Sequence, residues 1–243
     1  MLKHLKEYHE FEYTSELNEG FIGDVKDLWN SFKKLLGRMV TKQPPVKKLT
    51  PLKPTKPSPL EGQHMLYLPH QQGPAGAVKL VEVYQGKEKL DGSARRKMLN
   101  NMPSNAFGYQ SVLTGKDKEA VAAFLNYQKG TWSNYQKEAL SKIKLPENTA
   151  VKKAIDKLPN PNFPKEFLTT VAYKESRFVP NPKGNRTYRG LFQIGPDAWT
   201  QLKRVYPGKY KGSVPPLDPV KNTQAGHDYL KWTYEQFEKN VTV

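Results

Sequence analysis

Residues 38–60 constrain this chain more than any other stretch. They hold Pro44, Pro45, Pro51, Pro54, Pro57 and Pro59 together with Arg38, Lys42, Lys47, Lys48, Lys53 and Lys56, and not one acid. Each proline fixes φ and deletes a backbone donor, while the like charges repel one another, so such a segment cannot bury a core. It reads as an extended, semi-rigid linker over 41–62. The 243-residue chain is thereby divided into a short N-terminal part and a body long enough to fold around a core of its own.

The N-terminal part has two pieces. Residues 1–19 carry Lys3 and Lys6 against Glu7, Glu10, Glu12, Glu16 and Glu19, a charge of −3 on a chain of +16, which leaves +19 for the rest. At 20–40, Phe21, Ile22, Val25, Leu28, Trp29, Phe32, Leu35 and Leu36 recur with i, i+3, i+4 spacing opposite Lys26, Lys33 and Lys34, the pattern of an amphipathic helix. Such a helix docks on the protein's own body, on a partner or on a membrane surface. No apolar run approaches the roughly 18 residues of a transmembrane helix, and no apolar segment of a secretory signal follows the first lysines.

Only seven of the 39 cations are arginine. The excess charge therefore sits on flexible lysine stems, which suit a non-specific polyanion, either nucleic-acid phosphates or the acidic bacterial wall, better than base-specific reading; a soluble basic surface is the alternative. The chain has no cysteine, and His4, His9, His64, His70 and His227 match no usual zinc spacing, so the sequence calls for no metal and no cofactor.

Residues 63–145 read as a mostly helical region of unknown role. A strand is expected at 78–84, and helical patterns run through Ala120, Val121, Phe124 and Leu125 and through Trp132, Tyr135, Ala139, Leu140 and Ile143. No motif in this region carries chemistry.

Patterning becomes strong after Pro159-Asn160-Pro161. Pro164 suits a helix start, and Phe167, Leu168, Val171 and Ala172 lay down an apolar stripe whose next members fall at 175 and 178. Position 178 is phenylalanine and 175 is glutamate. A carboxylate on that stripe faces the buried side, where ionisation is costly, and a raised pKa is expected of it. A glutamate kept protonated near neutral pH is what a general acid needs; pairing with Lys174 or Arg177 at a helix end is the competing reading.

An ordered series follows: Glu175-Ser176-Arg177-Phe178, Asn181-Pro182, Gly190-Leu191-Phe192-Gln193-Ile194, Pro196-Asp197-Ala198-Trp199, Asp218-Pro219, Asn222, Ala225-Gly226 and Tyr229-Leu230. Gly190 allows a sharp turn or close backbone approach, Gln193 offers both a donor and an acceptor for a sugar's acetamido and hydroxyl groups, and Leu191, Phe192 and Ile194 supply wall and core. Pro196, Trp199, Leu202, Val205 and Tyr206 describe a short helix. Asp218-Pro219 reads as the cap and first turn of another, within which Gly226 marks close packing.

Across residues 160–232 this series resembles the soluble lytic transglycosylase (SLT) family of peptidoglycan-cleaving enzymes, whose fold is the helical one of goose-type lysozyme. The resemblance implies a mainly α protein with an SLT-like domain over 146–243. It also implies that Glu175 protonates the bond between N-acetylmuramic acid and N-acetylglucosamine and then, as base, activates the muramyl C6 hydroxyl, giving a 1,6-anhydro product. Ser176, Gly190, Leu191, Phe192 and Gln193 become substrate-binding candidates. Hydrolysis would need a second carboxylate, for which Asp197 and Asp218 are the nearby candidates, both resembling helix-start residues. The sequence departs from the family in two places. Gly184-Asn185-Arg186-Thr187-Tyr188-Arg189 replaces a small-residue Ser-x-x-Gly-Ala-x run, and the late Ala-Tyr-Asn-x-Gly motif is missing, with Tyr234 as the stand-in for its tyrosine.

The leader carries a second resemblance. Lys6-Glu7-Tyr8-His9-Glu10-Phe11 followed by Leu17-Asn18-Glu19-Gly20 is similar to the capsid-targeting peptides of internal head proteins of T-even-type phages, which a prohead protease cuts after a Leu/Ile-x-Glu tripeptide that precedes a small residue. This resemblance implies cleavage between Glu19 and Gly20, a virion protein carried in the head, and packaged DNA and a prohead protease as partners; the SLT resemblance adds peptidoglycan as the partner cleaved and action at the host cell wall. A tail or baseplate murein hydrolase and a DNA-associated head protein with an inactive lysozyme-like domain are the alternatives.

Overall fold

The computed structural model describes residues 62–158, 162–181 and 187–240. The leader with Glu19 and Gly20, the amphipathic stretch at 20–40 and, except for Gly62, the linker at 41–62 lie outside the described residues, as do Pro159 to Pro161 and Gly184 to Arg186. Among the described residues the protein is mainly helical, and β-structure is confined to one isolated antiparallel bridge between Arg189 and Ile194.

Nine α-helices form this body: α1 Gln63–Gln72, α2 Pro74–Tyr84, α3 Gly92–Asn100, α4 Tyr109–Thr114, α5 Asp117–Lys142, α6 Thr149–Asp156, α7 Lys165–Ser176, α8 Pro196–Val205 and α9 Pro219–Asn240, among the described residues. The long α5 packs along α7, and α9 packs against α1, α2, α6 and α8. The two apolar patterns read at 120–125 and 132–143 are turns of the single helix α5, whose buried side is Ala120, Val121, Phe124, Leu125, Trp132 and Ala139. Asp218 caps α9 as its sequence suggested, accepting from the Lys221 amide at 2.8 Å.

The strand expected at 78–84 is the second half of α2. Pro74 occupies the first turn and Gly73, at φ +74°, serves both as C-cap of α1 and as N-cap of α2. Ala77, Val78, Leu80, Val81 and Val83 are all buried, because α1, α5 and α9 cover the helix on several sides. A helix covered that widely loses its amphipathic stripe, and its short apolar run then has the look of a buried strand.

α1 is enclosed even more fully: eight of its ten residues are buried. It lies against α2, α5 and α9, so the region before residue 145 and the patterned region after it share one continuous core, running from Leu66 through Phe124, Trp132 and Phe167 to Leu191, Leu230 and Phe237. The change at 145 is one of sequence character, not of packing. Trp132 of α5 stacks on Phe167 of α7 with centroids 5.3 Å apart, and Phe167 packs in turn on Phe163 at 5.1 Å. Truncating a fully buried aromatic such as Phe167 costs about 3–5 kcal/mol, so this seam is a main tie between the two regions.

Candidate active site

α7 delivers Glu175 in its last turn. The helix stops one residue later because Arg177 and Phe178 both take left-handed backbone, at φ +53° and +64°. Two consecutive non-glycine residues in that region store roughly 1–3 kcal/mol each, and tertiary contacts hold them there. Phe178 is buried on Tyr173 with centroids 5.0 Å apart. The Arg177 guanidinium lies 4.7 Å from the ring centroids of both Tyr135 and Tyr173 and reaches Glu138 at 3.2 Å. Arg177 thus ties the end of α7 to α5 and does not pair with Glu175.

Opposite Glu175 the segment 189–195 folds as a tight loop. The Arg189–Ile194 bridge closes its neck, and Gln193, at φ +45°, turns its amide back to donate to the Gly190 carbonyl at 2.7 Å. Asn222 of α9 pins the loop from inside. Its Oδ1 accepts from the Phe192 amide at 2.9 Å, and its Nδ2 donates to the carbonyls of Arg189 at 3.1 Å and Pro216 at 3.0 Å. Gly190 has φ +75°, and a Cβ there would fall 2.0 Å from the Asn222 side chain, so both conformation and space demand glycine. Gly226 does mark a close approach, against the Phe192 ring: an added Cβ would lie 2.2 Å from its Cγ.

Between the end of α7 and this loop lies a cleft of about 440 Å³. Glu175, Phe192, Gln193, Asp197 and Tyr229 are among the residues that line it, and α1 contributes His70. The Tyr67 hydroxyl, also on α1, donates to Glu175 Oε1 at 2.5 Å, and His70 Nε2 lies 3.5 Å from the same oxygen. The Lys174 ammonium sits over the rings of Tyr67 and Tyr135, at 5.1 and 4.9 Å.

This surrounding reverses the pKa expected of Glu175. Burial pushes its carboxyl up, as the apolar stripe suggested. Hydrogen bonding from His70 first, then from the Tyr67 hydroxyl, and the nearby Lys174 charge outweigh that cost and leave it below the ordinary glutamate range. The donors come from α1, over a hundred residues away in sequence, so the stripe on α7 alone reported only the desolvation.

The other site candidates divide. Phe192 and Gln193 line the cleft. Gly190 and Leu191 do not: Gly190 shapes the loop, and Leu191 is fully buried in the core beneath it. Ser176 is turned away, its buried hydroxyl donating to the Ala172 carbonyl at 2.9 Å within its own helix, the usual local competition of serine at a helix end. Tyr234 also falls outside the cleft: its ring packs on Phe163 and Phe237, and its hydroxyl donates to Glu238 at 3.1 Å. The tyrosine that does reach Glu175 is Tyr67. Asp218 is occupied as a cap, whereas Asp197, in the first turn of α8, lines the cleft. Tyr67 and His70 carried no signal in the sequence, since α1 shows neither a stripe nor a chemical motif.

Residues 153–243 match the family model of the transglycosylase SLT domain. No curated protein and no solved structure matches the chain. The match begins within α6 and takes in α7, the pinned loop, α8 and α9, while α1 and α5 lie outside it. A glutamate at the end of a buried helix, facing a glycine-turned loop across a cleft within a helical body, together with this match, shows that residues 153–243 form a lysozyme-like transglycosylase SLT domain, the part of the chain with peptidoglycan lytic transglycosylase activity.

Proposed function

We propose that the protein cleaves the β-1,4 bond between N-acetylmuramic acid and N-acetylglucosamine with Glu175 as its one catalytic carboxyl. The observation that carries this is the position of Glu175, aimed into the cleft with Tyr67 on one of its oxygens. In the free protein the carboxylate is favoured. A glycan strand entering the cleft expels water and removes solvent from the carboxyl, which raises its pKa towards that of a working acid. The protonated form gives its proton to the glycosidic oxygen, the C1–O bond breaks, and N-acetylglucosamine leaves as an alcohol. Positive charge spreads over C1 and the ring oxygen of the muramyl unit. The carboxylate then takes the proton of the C6 hydroxyl as that oxygen closes on C1, which forms the 1,6-anhydro ring and returns Glu175 to its acid form.

Asp197 on the same cleft supports a second reading, hydrolysis with two carboxyls. Mass spectrometry of muropeptides released from purified murein separates the two. Anhydromuramyl ends, lighter by one water than reducing ends, are the expected product; reducing ends would assign Asp197 the second role.

We also propose that the chain is a phage virion protein, carried with DNA in the head and delivered to open the host wall locally. Support comes from the leader, its Leu17-Asn18-Glu19-Gly20 sequence and the charge it masks: cleavage after Glu19 removes a −3 segment and leaves +19 to face packaged phosphates. N-terminal sequencing of the protein from mature particles is the test. A chain beginning at Gly20 is expected, and one that keeps its leader favours a tail or baseplate location instead.

A further inference from the structure

His70 is the polar group of the cleft that the SLT match does not reach. Its ring is held from two sides, tilted 5.2 Å from Tyr67 within α1 and edge-on to Tyr229 of α9 at 5.8 Å. The buried Nδ1 has no hydrogen-bond partner, while Nε2 faces Glu175 at 3.5 Å. A ring so placed orphans least when Nε2 carries a proton towards the carboxyl and Nδ1 keeps only a lone pair. Among the described residues, the polar contacts of Tyr67 and His70 converge on one oxygen of Glu175, Oε1.

Taking Glu175 as the acid of the proposed reaction, we infer that His70 is a positioning residue for it. With Tyr67 it holds Oε1, so that Oε2 is the oxygen that carries the proton to the glycosidic bond and later receives it from the C6 hydroxyl. Orientation matters here because a misplacement of about 1 Å costs on the order of 10²-fold in rate. The rigid seat of α1, buried on nearly all sides, gives His70 the fixed geometry that this role demands. His70 also bears on the ionisation of Glu175, whose other charged or titratable neighbours among the described residues are Tyr67 on α1, Lys174 on α7, and Tyr188, Asp197 and Tyr229 across the cleft, the last two on α8 and α9. Taking His70 away removes support for the carboxylate, so the acid form persists to higher pH.

The test is the pH dependence of murein cleavage by the full chain carrying His70→Gln, with His70→Asn as a second variant should the first fail to fold. Glutamine keeps an N–H donor and loses the imidazole. The expected result is a kcat lowered between about 10- and 100-fold, a KM changed little, and an alkaline limb of kcat/KM moved to higher pH. Limbs that superpose on those of the unmodified protein would overturn the inference, whatever the rate. Glu175→Gln is run alongside: if that variant stays active, the reaction assigned to Glu175 falls, whereas an inactive Glu175→Gln beside an unshifted His70→Gln removes His70 alone.

Discussion

The end of α7 and the middle of α1 meet at one carboxylate oxygen and differ in almost every other respect. α7 is largely buried too, but its apolar residues still fall in a legible stripe, with Thr169 and Thr170 set between Phe167-Leu168 and Val171-Ala172, and Glu175 interrupts that stripe visibly. α1 is buried nearly all round, carries Pro69 within its length and places Gln63, His64 and Gln72 in the core. Gln63 is matched by Gln136 of α5 at 2.9 Å, whereas His64 Nε2 has no hydrogen-bond partner. One helix announces its chemistry through a local pattern. The other obtains its chemistry from where the fold puts it, and a helix enclosed on all sides has no pattern with which to announce anything.

The largest expected effect breaks the seam that joins the two. Phe167→Ala should cost about 3–5 kcal/mol of stability, measured by denaturant unfolding. If the shared core makes the regions cooperative, unfolding stays a single transition in fluorescence and circular dichroism; two separated transitions would split α1 and α5 from the rest.

Next in size is Glu175→Gln, which should lower murein cleavage by at least about 10²-fold, the lower range for loss of a general acid, with an unchanged melting temperature. Near-normal turnover would remove the α7 side of the comparison from the chemistry.

On the α1 side, His64 offers a test through stability. Burial first, and Lys129 second, lower its pKa from 6.5 to about 4. The folded state therefore prefers the neutral ring, and the unfolded chain takes up a proton first as pH falls. Stability is complete above pH 6.5 and declines below it, by up to about 3 kcal/mol on reaching pH 4. His64→Gln should flatten that part of the stability profile; a slope that survives the substitution would place its origin elsewhere.

The smallest effect sharpens the comparison most. Tyr67→Phe deletes one hydrogen bond to a charged group, worth about 1.5–3 kcal/mol, and should reduce kcat roughly 10- to 100-fold. Tyr234→Phe, which removes a hydroxyl that donates to Glu238 outside the cleft, should leave kcat unchanged. The opposite ranking would return the functional tyrosine to α9.

Much of the C-terminal half was legible because its signals are short-range. Pro196 and Asp218 start helices where their local chemistry says they should, and Gly190 and Gly226 stand where a side chain has no room. Ser176 and Tyr234 do not line the cleft, and no short-range signal says so, because residue type and nearness to a motif do not reveal which way a side chain turns. Ser176 satisfies its hydroxyl in its own helix, and Tyr234 fills an aromatic gap beside Phe163.

By itself the sequence determined that the body is helical, that a carboxyl interrupts an apolar stripe at 175 and that a glycine-turned loop follows it, since periodicity, caps and turn chemistry are written in neighbouring residues. Tertiary structure alone decided that 78–84 is helix and not strand, because cover from three neighbours set the run's burial. It also decided the electrostatics of Glu175. Tyr67 is 108 residues from that carboxyl along the chain and 2.5 Å from it in space, and the energies that hold a proton on or off an oxygen act over ångströms, blind to sequence distance.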